Sequence, residues 1–274
     1  MHWNACVPID WQRLAKSLAE SGWAWWNRDV QERHEYIGAV FRHLIQGISK
    51  RIPSQCAVCH AWPSQPVCED CAAVFAQPSP RCVTCALPVP AGMQQCGACL
   101  TTPPPLDACL AAVPYAFPWS DLVADFKFRQ HPGWARTFAQ LLRAAPWVEP
   151  ALDAADLLIP MPLSRQRMRE RGYNQSLVLA KALDASKTAH GVLLRLTDTP
   201  PQRTLPRNER LRAVTHAYAA DPLQVHRISG RRLVLLDDVM TTGATIHAAA
   251  SALRRAGASH ITALVLARTD QARQ

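Results

Sequence analysis

Asp237 and Asp238 stand side by side after the unbroken apolar run Leu233 to Leu236 and just ahead of Thr241, Thr242, Gly243, Ala244 and Thr245. Adjacent carboxylates accept hydrogen bonds from neighbouring hydroxyls, and a threonine-glycine turn offers hydroxyls and uncluttered backbone to an anion. A helix expected from about Thr245 to Arg255 adds its unpaired N–H groups and the positive end of its dipole. One segment, RRLVLLDDVMTTGATIHAAASALRRAG, thus carries ligands for a sugar bearing a phosphate. It is no P-loop, because the lysine of GxxxxGK[ST] is missing. A strand, an acidic turn and a helix also occur in any doubly wound protein, where an Asp pair often only caps the helix.

A second constellation follows another strand. In IPMPLSRQRMRERGYNQ the turn residues Met161, Pro162, Leu163 and Ser164 lead into Arg165, Arg167, Arg169 and Arg171. We read this as a basic loop whose forked guanidinium groups can receive a diphosphate; the competing reading is a solvated linker.

The third is built from thiols. Of ten cysteines, eight form four CxxC pairs: Cys56/Cys59, Cys68/Cys71, Cys82/Cys85 and Cys96/Cys99. Two such turns aim four thiolates at one metal, so two structural zinc ions are expected, with no open position for catalytic water. Disulfides are disfavoured in a reducing compartment, and the tandem spacing of iron-sulfur ferredoxins is absent. Adjacent, nested and alternating groupings of the four pairs are all compatible with the spacing. Cys6 and Cys109 lack a CxxC partner, and Cys109 reads as a small buried apolar side chain.

These groups need elements to hold them. Strands are expected at 111–115, 157–159, 192–196, 233–236 and 261–266, and helices at 120–128, 134–144, 175–184 and about 245–255. The alternation predicts an α/β fold with a mainly parallel sheet and helices on both faces, preceded by a small Cys-rich zinc ribbon region. Ile37, Val40, Phe41, Leu44, Ile45 and Ile48 make one apolar helix face, so residues 1–52 read as a helical extension. A start codon assigned too far upstream would also account for that segment. Residues 53–105 hold the double zinc ribbon, ending at the TTPPP punctuation. Residues 106–268 form the α/β domain and 269–274 a tail.

The formal charge is +9, which favours polyanionic partners. Two zinc ions, each on four thiolates, would bring it to about +5. No apolar run approaches the roughly 20 residues of a membrane span, and the amino end lacks a signal-peptide pattern, so a cytoplasmic location is expected.

The string LLDDVMTTGAT resembles the PRPP-binding motif of type I phosphoribosyltransferases. PxPL followed by RxxxRGxNQ is similar to the ComF (GntX-like) family, matching at Arg167, Arg171, Gly172, Asn174 and Gln175. Lys127-Phe128-Arg129 resembles that family's basic segment before the core, and the cysteine pairs resemble its double zinc ribbon. The resemblance covers about residues 52 to 268. It implies PRPP binding and transfer of ribose 5-phosphate, with release of diphosphate. Asp237 and Asp238 would hold the ribose hydroxyls, directly or through Mg²⁺, while Thr241 to Thr245 hold the 5-phosphate. Met161 to Ser164 would line the diphosphate side, with Arg167 and Arg171 on a mobile loop closing over the leaving group. It also implies a link to DNA uptake in natural transformation, with single-stranded DNA and DNA-uptake proteins as partners. A non-catalytic DNA-binding competence protein using the same fold is the alternative. Where the family often shows R-x-x-N before an A-[FY] pair, this chain has Arg210-Leu211-Arg212-Ala213 before Ala217-Tyr218, so no role is carried onto that stretch. Gln202 and Arg203 nearby are weak candidates. The acceptor is unspecified, because no pattern in residues 106–130 names a base.

Overall fold

A computed structural model describes residues 54–196 and 217–270. The expected extension over 1–52, Cys6, Gln202, Arg203 and Arg210 to Ala213 lie outside the described residues, as does the tail beyond Asp270.

The cysteine-rich segment carries two short helices, α1 (Glu69–Phe75) and α2 (Gly97–Thr101). The chain then alternates as β1 (Ala108–Pro114), α3 (Trp119–Phe128), α4 (Trp134–Ala144), α5 (Val148–Ala154) and β2 (Leu157–Pro160). Next come α6 (Arg165–Arg171), α7 (Gln175–Asp184), β3 (Leu193–Arg195) and β4 (Tyr218–Ala220). The last elements are β5 (Arg232–Met240), α8 (Ala244–Arg255) and β6 (His260–Arg268).

The main sheet has the order β1-β6-β5-β2 with every neighbour parallel, in a register that sets Leu235 against Ile159 on one side and Ala263 on the other. Its central strands are apolar at successive positions because both faces are covered. Leu233, Leu235, Ile261, Ala263 and Val265 join α8 in one buried cluster. On the alternate positions Val234, Leu236, Leu264 and Leu266 are equally buried, and α4 and α7 pack against the sheet and each other. The α/β fold with helices on both faces is therefore as read from the sequence.

Three expectations change. The strand expected at 192–196 is the short β3, paired antiparallel with β4 outside the main sheet. The arginine-rich segment, read as a loop, is helix α6: the Ser164 hydroxyl caps it by accepting from Arg167 N at 3.2 Å, and Gly172 stops it at φ 77°. Helix α5 had no counterpart in the reading; Pro150 falls in its first turn, where no N–H donor is required.

The cysteine-rich segment shares the core. Cys82, Cys85 and Cys99 belong to the same buried cluster as Leu235 and Met240, and Cys109 N donates to Val83 O at 2.8 Å. Cys109 is the buried apolar-like side chain expected, with its sulfur 3.7 Å from Met240 Sδ and its thiol pushed up to about 12 by burial.

Candidate active site and metal centres

Strand β5 continues past its apolar run, so Asp237 and Asp238 lie within its carboxyl-terminal part and not in the loop beyond. Asp238 is buried and its Oδ1 faces Lys127 Nζ, from the last turn of α3, at 2.8 Å. Asp237 Oδ1 accepts from Ser176 Oγ at 3.0 Å and from Asp238 N at 2.9 Å. Burial, and then the adjacent Asp238 carboxylate, push Asp237 up to about 7, while Lys127 pulls the other way.

The turn after the strand depends on Gly243, whose φ is 83°. A Cβ there would meet only the side-chain tips of Met240 and His247, which can shift, so it is the backbone conformation that demands glycine. Thr242 Oγ1 accepts from Ala244 N at 3.3 Å, and α8 begins at once, directing its first N–H groups at the turn. Such backbone N–H groups at a helix start are suited to an anion.

Opposite, the RGxNQ residues divide their work. Gly172 ends α6, Asn174 caps α7 and donates from Nδ2 to Met161 O at 3.0 Å, and Gln175 Oε1 accepts from Arg171 Nη1 at 3.0 Å. Those three position the wall, whereas Arg167 and Arg171 face the cleft. Arg171 also lies over the Phe128 ring, 5.0 Å from its centroid, and burial lowers its pKa.

The cleft so formed has a volume of about 240 Å³. Asp237, Asp238, Arg167, Arg171, Met161, Pro162, Leu163 and Thr241 through Thr245 all line it. Ser164 does not; it is buried as the α6 cap. Two polar lining residues escaped the sequence reading, Arg195 from β3 and Tyr218 from β4, joined by an Arg195 Nη1 bond to the Tyr218 hydroxyl at 3.2 Å. The Ala217-Tyr218 pair was visible in the string, but its placement depends on the small antiparallel sheet. Among the described residues lining the cavity are four cationic side chains, Lys127, Arg167, Arg171 and Arg195, beside the two carboxylates, which suits a ligand with several negative charges.

The thiols form two sites: Cys56, Cys59, Cys68 and Cys71 in one, Cys82, Cys85, Cys96 and Cys99 in the other. The grouping is therefore adjacent. Within each, the sulfurs lie within 4.8 Å of one another, and Cys59–Cys68 and Cys85–Cys96 are 3.6 Å apart. A tetrahedral zinc site with bonds of about 2.3 Å sets its sulfurs about 3.8 Å apart. Cys68 N donates to Cys56 Sγ at 3.3 Å, and such N–H···S bonds stabilise thiolates. The donor set fits zinc in both sites.

Comparison with known proteins bears on the fold and the family. Residues 184–274 match the model of the phosphoribosyl transferase domain. The DNA utilization protein YhgH of Escherichia coli K12 is 30% identical over 230 residues, spanning 80% of this chain and 98% of its own. Competence protein F of Haemophilus influenzae is 32% identical over 197 residues, 69% of this chain and 85% of its own. This chain belongs to the ComF family. Competence protein ComFC of Bacillus subtilis matches a shorter stretch of this ComF protein, 35% identical over 118 residues, 43% of this chain and 46% of its own. Among solved structures, that of the allosteric regulatory enzyme of purine biosynthesis aligns with 52% of this chain and 29% of its own at 18% identity and a TM-score of 0.35. Among the described residues of this ComF protein, no helix is long and apolar enough to cross a membrane.

Proposed function

We propose that this ComF protein binds PRPP in the cleft and transfers its ribose 5-phosphate to an acceptor, in a role tied to DNA uptake or utilisation. The observation that carries the reading is the convergence, around one cavity, of an acidic pair, an anion-binding turn at a helix start, and four cations. The 5-phosphate takes the Thr241 to Thr245 turn, the ribose hydroxyls take Asp237 and Asp238, and the diphosphate takes the side of Met161, Pro162, Leu163, Arg167 and Arg171. The bond from the anomeric carbon to the diphosphate oxygen breaks while a bond to the acceptor nucleophile forms, and the diphosphate leaves. Positive charge develops on the sugar and negative charge on the leaving group, so the arginines serve the departing oxygens. Mg²⁺, which the family resemblance implies, would shield diphosphate oxygens when bound; on the protein side Asp238 already faces Lys127 and Asp237 Oδ1 already accepts two bonds. The two cysteine sites are structural zinc centres in this reading. The names of the relatives support the tie to DNA.

Pyrophosphate release from PRPP, screened against bases, nucleotides and single-stranded DNA, tests the transfer. Release that depends on one acceptor and vanishes in Asp238→Asn supports it, and release with none of them removes the transferase reading.

A second reading, that of a non-catalytic single-stranded-DNA-binding competence protein, draws on helix α6, which buries none of its residues and exposes Arg165 and Arg169. DNA affinity that falls steeply with salt supports it, and absence of binding at low salt excludes it.

A further inference from the structure

The Lys127 ammonium lies where a cation serving the acidic pair would be needed. It meets Asp238 Oδ1 at 2.8 Å, with the two side chains only 15% and 9% exposed. The position is prepared by the fold rather than by chance contact of two mobile side chains. Lys127 lies in the last turn of α3, where the helix dipole favours a positive charge. That end is held by the α6–α7 junction: Gln175 Nε2 donates to Lys127 O at 3.4 Å, and the Tyr173 hydroxyl donates to Phe126 O. Phe126 itself is fully buried, edge-on to Phe138 with centroids 5.4 Å apart.

We infer that Lys127 is the resident counter-ion of the acidic pair, so that the cleft binds its phosphorylated sugar without requiring a divalent cation. This rests on the phosphoribosyl reading and deepens it. Mg²⁺ demands near-octahedral oxygen coordination and gives up water reluctantly. To approach Asp238 it must displace an ammonium already desolvated there, leaving that ammonium without its partner. A carboxylate accepts at both oxygens, so Lys127 on Oδ1 leaves Asp238 able to take a sugar hydroxyl. The charge that a metal would neutralise on the diphosphate is met instead by Arg167 and Arg171 across the cleft.

Calorimetric titration of PRPP into the full-length zinc-loaded protein tests this, once in buffer stripped of divalent cations over a chelating resin and once in excess Mg²⁺. The two dissociation constants are expected to agree within about threefold. Lys127→Met should bind PRPP at least about tenfold more weakly in stripped buffer and recover with Mg²⁺, because its bare Asp238 becomes a metal ligand. A direct Mn²⁺ titration read by electron paramagnetic resonance should find a site in Lys127→Met that the wild type lacks. Lys127→Arg keeps a charge and should keep metal-free binding. Wild-type binding that appears only with Mg²⁺ overturns the inference and leaves the phosphoribosyl reading standing; this arm decides even if Lys127→Met does not fold. Equal binding by Lys127→Met in both buffers also overturns it. No PRPP binding in either buffer overturns both readings.

Discussion

Arg268 Nε donates to the carbonyl oxygen of Cys85 at 2.9 Å. The same guanidinium, 1% exposed at the end of β6, donates through Nη1 to Met240 O at 3.0 Å, to Thr269 O at 2.9 Å and to Thr241 O. One side chain therefore fastens the second cysteine cluster to the end of β5 and to Thr241, the first residue of the turn after it. The second cysteine cluster and the turn at 241–245 are mechanically continuous.

Replacing Arg268 with Met deletes those donors while keeping bulk. Met240 O keeps its bond from Thr269 N, but Cys85 O and Thr241 O lose the Arg268 donor, which should lower stability by about 2–4 kcal/mol, read as a shifted urea midpoint. PRPP affinity should fall as well, since the turn loses its anchor.

Metal analysis should find one zinc ion for each of the two cysteine clusters. Cys59→Ser and Cys82→Ser should each lose one. The consequences differ, because Cys59 is exposed and Cys82 is fully buried in the core shared with the sheet. Cys82→Ser should be the more destabilising by at least about 1 kcal/mol in urea melts.

The Asp237 carboxyl, raised from 3.8 to about 7, holds a proton in the folded state that the unfolded chain has already released. Between about pH 4 and 7 the native state binds more protons, so this group's contribution lowers stability as pH rises. Asp237→Asn should therefore stabilise the protein above pH 7, by about 1–3 kcal/mol, and change little below about pH 4. Urea melts of both proteins across that range check it; a difference that grows toward low pH contradicts the assignment.

Gly243→Ala places a Cβ at φ 83° against Met240 and His247. A cost of about 1–3 kcal/mol is expected, with PRPP binding weakened more than about tenfold because the turn must open. Thermal melting and titration give the two numbers.

Periodicity made much of this molecule legible. Helices α4 and α7 have the bounds expected from their apolar spacing, and the four strands of the main sheet lie at the expected runs. Helix α6 escaped because it buries nothing and so shows no apolar period, although its Ser164 cap and Gly172 stop stood in the string. The grouping of the cysteines was not readable, since the short gaps allow any pairing of the turns. Lys127 was noticed as part of a motif, but its contact with Asp238 is a product of tertiary packing. Arg195 and Tyr218 reach the cleft only through β3–β4 pairing, which no local pattern encodes.

The most direct test of the central claim is calorimetric titration of PRPP into the wild-type protein and into Asp237→Asn/Asp238→Asn, with circular dichroism confirming that both are folded. The account predicts saturable binding to the wild type and none to the double variant; equal affinity in the two proteins would contradict it.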